Sequence, residues 1–347
     1  MNVESRNMVE SAGNYIRHRR APIVIWDRTT KQYVIRYVPA ISGESIAHGF
    51  QKNLAEIAKK MGIKEVCPLC EQGIFIKRGV PDHAREIKKS LGNITSKELA
   101  QRFEEEVIKR CIVEDIGGFM FPGESDDRFP VKRTSKISFG YIIPAIEDLV
   151  ATLEPQFHAR QDPDVQRGQM IYYNEVGSAI YVIQSGIELS GIGKTSMFEV
   201  KQVVSNEDLK RRVNATLKAL YLTIGLGKFG AKNARFEPDY QIKSIVAAIS
   251  EARLNVISGH SVRYLIENYE QVERYAKIVG TSVTLLYYAD RDEEELLRKL
   301  RKSLPESRTI NIKSIEGNEV SVKVIKTNSV NEFFEKLFIE VMSIMKF

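Results

Sequence analysis

The sequence predicts an α+β fold, on three observations. Strand-like and helix-like segments interleave along its whole length, and no segment repeats another. At 347 residues, 43% of them hydrophobic, the chain is long enough for one elaborated domain or two.

The elements follow in order. A basic cluster (Arg17, His18, Arg19, Arg20) runs into a β-rich segment, Ile23 to Val38, closed by Pro39. Ser42 is a good N-cap, since its hydroxyl can accept from an exposed backbone N–H, and Gly43 lies in the first turn of the helix it opens. Ile46, Phe50, Leu54, Ile57 and Met61 recur at helical spacing as the buried stripe, while Ser45, His48 and Lys52 line a polar side. Residues 63–130 differ in character and read as an insertion. They hold a cysteine pair, a helix introduced by Thr95 with Glu98 in capping-box spacing, and the acidic loop PGESDDRFP.

Residues 131–144, VKRTSKISFGYIIP, resume as strand, and 161–168, QDPDVQRG, form a polar tip between strand-like arms. Residues 170–189 are strand-rich. Leu209, Val213, Leu217, Leu220 and Ile224 mark a helix that ends in the glycine loop GLGKFGAKNARF, and a strand follows at Ile242–Ile249. Near the end Ile310 and Ile312 face Val320, Val322 and Val324 across the turn EGN, and Ser329 with Glu332 caps a last helix.

The net charge is +6 and the pI about 9.0. That modest surplus matters because it is concentrated, in Arg17–Arg20, Lys132–Lys136 and Lys228–Arg235, as a polyanion-binding surface requires. The chain has no stretch of about 18 uncharged apolar residues and no apolar signal-peptide core, so a cytoplasmic protein without a membrane span is expected. Three cysteines do not make a secreted disulfide scaffold. The density of Lys and Glu suits a thermophile.

Two glycine motifs fail on context. GIGKTS (Gly191–Ser196) resembles the end of a P-loop, but Glu188 stands where the first glycine of that loop must wrap the phosphates. GLGKFG (Gly225–Gly230) follows a helix and precedes a strand, the reverse of a dinucleotide fingerprint. What remains there is a glycine loop with Gly227, Lys228, Lys232 and Arg235, where backbone amides and cations can approach phosphate. CPLC gives half of a zinc site in Cys67 and Cys70, with His83 and Cys111 as further candidate ligands to a structural zinc; free or reversibly bonded thiols are the alternative. His18, His48 and His158 could serve a nuclease, yet no carboxylate or metal constellation accompanies them. Stacking on a base or donating to phosphate suits them better.

NYIRHRRAP, YVPAISGESIAHGFQ, GGFMF, VKRTSKISFGYIIPA, EPQFHAR and FGAKNARF occur in this order. With them the chain resembles the backbone subunit of archaeal type I CRISPR interference complexes (Cascade), the Cas seven or autoregulator family of the repeat-associated mysterious protein superfamily. The match spans roughly residues 2 to 347. It implies an RRM-like, ferredoxin-like palm (1–62, 131–154 and 178–347), a finger insertion (63–130) and a thumb hairpin (155–177). Family members usually carry an additional apolar strand before the part matched here, so the first palm strand is expected to be short.

The resemblance further implies an antiviral, non-enzymatic scaffold that needs no cofactor. Copies stack head to tail along CRISPR RNA in a helical filament, of type I-A, with other Cascade subunits including the Cas five family and a target DNA strand paired to the guide. On this sequence the RNA-binding residues would be Asn14, Arg17, His18, Arg19, Arg20, Ser42, Gly43, His48, Lys52, Lys132, Arg133, Lys136, His158, Arg160, Gly227, Lys228, Lys232 and Arg235. A subunit that serves many guides should contact phosphate and sugar and leave base identity to pairing. A metal-independent ribonuclease of the same superfamily is the alternative.

Overall fold

The computed structural model describes residues 1–92, 96–123, 130–145, 151–161, 169–234, 236–299 and 306–345. In chain order the elements are β1 (Met8–Ala12), β2 (Tyr15–His18), β3 (Arg20–Asp27), β4 (Gln32–Pro39), α1 (Gly43–Lys60), α2 (Pro68–Glu71), α3 (Pro81–Leu91), α4 (Ser96–Arg110), α5 (Ile112–Gly117), β5 (Phe119–Phe121), β6 (Val131–Arg133), β7 (Ile137–Phe139) and β8 (Ile143–Pro144). Then come β9 (Ala151–Gln161), β10 (Gln169–Ala179), β11 (Tyr181–Val182), β12 (Ser185–Ile187), α6 (Asn206–Leu220), β13 (Ser244–Ser250), α7 (Tyr264–Val279), β14 (Val283–Ala289), α8 (Arg291–Lys299), β15 (Arg308–Lys313), β16 (Glu319–Lys326) and α9 (Val330–Ile344). The fold is α+β, as the interleaved pattern predicts.

The chain divides into two compact units. The first comprises Met1–Ser42, Tyr141–Gln184 and Gly230–Lys346; the second comprises Gly43–Gly140 and Ser185–Phe229. Neither unit is continuous in sequence.

In the first unit, one sheet has the order β1-β2-β10-β9. Its β9–β10 pair is a long antiparallel hairpin, in register from Ala151 opposite Ala179 to Gln161 opposite Gln169. The residues 162–168 between these strands, including most of QDPDVQRG, lie outside the described residues. The β-rich segment 23–38 is itself a hairpin, β3–β4. Asp27 turns it, because its carboxylate accepts from the N–H groups of Thr29 and Thr30, and Lys31 takes the left-handed φ of 52° that closes the turn. A second sheet, β13-β14-β16-β15, covers the C-terminal part. Ile310 faces Val322 and Ile312 faces Val320, and the Ser329 hydroxyl accepts from the Glu332 N–H as expected of a cap. Helix α7 and strand β14 had no clear signal in the sequence. β14 reads VTLLYYA as a continuous apolar run, because both α7 and α9 pack on it and strand alternation vanishes when both faces are covered.

In the second unit, Ile46, Phe50, Leu54 and Ala58 of α1 are buried, while Ile57 and Met61, expected in the same stripe, are half-buried; Leu209, Val213, Leu217 and Leu220 of α6 are buried too, and the two helices pack together. Gly43 begins α1 because a side chain there would overlap the backbone oxygen of Phe139 in β7. A satellite core joins α3, α4, β5 and β6 through Ile87, Phe103, Val107, Phe119, Phe121 and Val131. Thr95, the expected cap of α4, lies outside the described residues.

Candidate nucleic-acid interface

The basic N-terminal segment is two strands, so its side chains alternate. Arg17 on β2 is exposed and stands opposite Glu10 in the register of β1. Arg20 opens β3 half in solvent, with its guanidinium 2.9 Å from Glu175 Oε1. Arg19, half-buried between them, donates its backbone N–H to the Asn7 carbonyl and its Nη1 to the Tyr141 hydroxyl at 3.3 Å. Asn14, at the exposed β1–β2 turn, donates to the Ile171 carbonyl at 3.0 Å.

His18 points the other way. Its Nε2 meets the Glu4 carboxylate and its Nδ1 meets the Arg19 carbonyl at 2.8 Å, so a doubly protonated ring satisfies both acceptors. Burial pulls the His18 pKa down, but the Glu4 hydrogen bond and charge outweigh it and hold the ring above its ordinary value. Burial likewise pushes Glu4 up, and its bond with His18 wins, leaving it below the carboxylate norm. The expectation that His18 contacts RNA is therefore corrected: its side chain is fully buried and both ring nitrogens are engaged. The Tyr181 hydroxyl donates to the same Glu4.

Beside Arg17 and Arg20 lies a feature that sequence reasoning missed. Tyr15 on β2, Tyr173 on β10 and Phe157 on β9 sit on three adjacent strands in direct register. Their ring centroids are 5.9 and 5.6 Å apart, and Phe157 is 58% exposed. An RRM-type aromatic signature along one strand is absent from the sequence; the row forms across strands, through a parallel β2–β10 pairing that spacing within one segment cannot show. On the same hairpin His158 stacks on Tyr172 at 5.0 Å and meets Phe236 edge-on. Arg160 is on β9, with its side chain outside what is described. Lys232, with a left-handed φ of 56°, reaches Asn174 Oδ1 at 2.6 Å. Arg235 lies outside the described residues. Ser42 is buried and its N–H donates to Asn7 Oδ1 at 2.8 Å.

In the second unit, His48 and Lys52 are exposed on α1, one turn apart, and the His48 ring meets Phe75 edge-on at 5.0 Å. Lys132 is exposed on β6 and, with Lys77, Gly117, Gly118, Thr134 and Ser135, lines a surface groove. Arg133 is the second correction. Its side chain is fully buried and donates to the carboxylates of Asp115 and Glu104 and to the carbonyls of Gly191 and Lys194. It is spent inside the protein and offers no hydrogen to a phosphate. Lys136 is also buried, 3.1 Å from Glu188 Oε2.

The P-loop lookalike is settled by the same network. The Gly193 N–H donates to Asp115, and the Ser196 and Met197 N–H groups donate to Glu104. The chain's own carboxylates occupy the amides that would have to hold phosphate. In GLGKFG, Gly227 is buried with φ 65°, and Lys228 is exposed while its carbonyl accepts from Asn53.

The three cysteine sulfurs converge, all within 4.8 Å of one another and all as free thiols. The Cys67 N–H donates to Cys111 Sγ at 3.5 Å. Hydrogen bonds with Cys111 and Cys70 pull the Cys67 pKa down, those with Cys111 and Cys67 raise Cys70, and burial pushes Cys111 up to about 12. Glu114 beside them is pushed up to about 7 by burial, against the pull of its ion pair with Arg78. The cluster is placed to hold a metal. His83 is on α3, its side chain outside what is described.

Residues 1–271 match the family described as CRISPR-associated negative auto-regulator DevR/Csa2. The chain belongs to this family. The DevR/Csa2-family chain is 38% identical over 304 residues to "CRISPR-associated protein Cas7/Csa2 1" of Saccharolobus solfataricus, covering 85% of this chain and 91% of that protein. It is 41% identical over 272 residues to "CRISPR-associated aCascade subunit Cas7/Csa2 2" of the same organism, covering 76% and 81%. Among solved structures it is similar to a chain of a "CRISPR RNA-guided surveillance complex, pre-nicking", at 10% identity and a TM-score of 0.48, covering 97% and 96%. No helix among the described residues is long and apolar enough to cross a membrane.

Proposed function

We propose that this chain is an RNA-binding structural subunit of a type I-A Cascade, polymerising head to tail along CRISPR RNA and cutting nothing itself. The observation that carries the reading is the juxtaposition of exposed Arg17 and Arg20 with the aromatic row Tyr15–Tyr173–Phe157. Cations hold phosphates whatever the sequence, and rings stack any base, so the pair binds single-stranded RNA without reading it. On this reading 1–62, 131–154 and 178–347 form an RRM-like palm, 63–130 a finger, and 155–177 a thumb hairpin. Partners are other Cascade subunits, the Cas five family among them, and the target strand paired to the guide. RNA binding calls for no cofactor; a structural zinc at the thiol cluster, with His83 as the fourth candidate ligand, would serve the fold of the second unit.

Titrating two unrelated single-stranded RNAs at several salt concentrations tests the binding mode. Affinity should fall steeply with salt and differ less than about tenfold between sequences. Filaments with co-purifying RNA in negative stain are expected. His48→Ala should weaken RNA binding by about 1 kcal/mol, the scale of one hydrogen bond, with no turnover before or after the change. RNA cleavage by the wild type that collapses in His48→Ala would establish the ribonuclease reading instead.

A further inference from the structure

The geometry points to a structural Zn²⁺ bound by the thiolates of Cys67, Cys70 and Cys111, which locks the Lys77–Arg78 loop against α5. Tetrahedral Zn–S bonds of about 2.3 Å place sulfurs about 3.8 Å apart, and the three sulfurs here already lie within 4.8 Å of one another. They come from two separate segments, the CPLC turn at α2 and the residue before α5, which are also joined by the Ile112 N–H donating to the Glu65 carbonyl at 2.8 Å. Three thiols gathered in a buried place without a disulfide need a reason. Cys70 and Cys111 are buried and Cys67 is partly so, and in such a place thiolates are stabilised by a cation. The Cys67 N–H aimed at Cys111 Sγ is the kind of backbone contact that supports a metal-bound thiolate.

The surrounding charge fits as well. Zn²⁺ with three thiolates carries one net negative charge. Arg78 and Lys77 stand close enough for the cysteines to act on them electrostatically, and Arg78 is held by Glu114 at 2.8 Å. Both loop residues adopt left-handed φ, 54° and 62°, a strained pair that a non-glycine sequence keeps only when its surroundings hold it. Lys77 Nζ donates to the Gly117 carbonyl at 3.2 Å, so the loop is pinned from the α5 side. Metal loss should release this loop first. The zinc site stands or falls independently of RNA binding.

The test uses the full chain, purified without chelators from zinc-supplemented medium. Elemental analysis should find about one zinc per chain, and a thiol reagent should titrate the cysteines only after a chelator or denaturant is added. Cobalt exchanged into the wild type should show thiolate-to-metal charge-transfer absorption, a readout that survives even if Cys67→Ser, Cys70→Ser or Cys111→Ser fails to fold. Chelation should expose a tryptic cut after Lys77 or Arg78. Zinc well below one tenth of an equivalent, with three freely titrating thiols or a disulfide among them, overturns it.

Discussion

Two basic segments of this chain meet opposite fates. In Arg17–Arg20 one cation turns inward, His18, and the three arginines keep some access to solvent. In Lys132–Lys136 the proportion reverses: Lys132 is exposed, while Arg133 and Lys136 are buried. Strand alternation alone makes adjacent residues face opposite ways. The difference is made by carboxylates delivered from elsewhere in each unit. Glu104 and Asp115 converge on Arg133, and Asp115 is shared with Arg212 at 2.7 Å; Glu4 waits for His18. A cation cluster can serve a polyanion only to the extent that the protein's own acids leave it at the surface.

The largest effect that would break this contrast is on Arg133. Arg133→Ala leaves Asp115 and Glu104 buried beside fewer positive charges, and should cost about 3–5 kcal/mol in urea unfolding. A loss under about 1 kcal/mol would mean that the network is wet and that Arg133 is available after all. Next is Gly118, with its φ of +72°. A Cβ at this position would stand 2.6 Å from both Arg133 O and Ser135 N, which leaves no room for a side chain. Gly118→Ala should cost about 1–3 kcal/mol and disturb the groove beside Lys132.

The His18–Glu4 pair predicts a pH signature. His18 has a raised folded pKa, so its stabilisation is complete below the unfolded value of 6.5 and is lost as pH rises through the folded value. Glu4 has a lowered one, so its share is present above 4.5 and lost as pH falls through the folded value. Thermal unfolding should therefore show a wild-type Tm that declines as pH rises above about 6.5 through the folded value, and His18→Gln should flatten that decline. Parallel profiles would mean that the ion pair contributes nothing. The smallest stability effects belong to the outward cations. Arg17→Ala and Lys132→Ala should each change unfolding free energy by no more than about 0.5 kcal/mol, while each lowers the salt slope of RNA binding by about one. A stability loss comparable to that of Arg133→Ala would erase the distinction between the two segments.

Much of this molecule follows from local rules. The stripe of α1, the cap at Ser329, the pairing of Ile310 with Val322 and the failure of both glycine motifs all rest on residues close in sequence, where period, capping and turn chemistry act. The convergence of Cys67, Cys70 and Cys111 was also foreseeable, because thiols are rare and their chemistry narrows the options.

The α+β class, the family motifs and the places where positive charge concentrates are all written in the order of residues along the chain. Which cations remain for a partner is not, because Asp115, Glu104, Glu4 and Glu175 reach them across 14 to 155 residues of chain. The aromatic row is a tertiary outcome too, since Tyr15 and Tyr173 become neighbours only through a parallel strand pairing. Hydrogen bonding and burial are set by what stands opposite a side chain in space, and sequence distance carries no record of that.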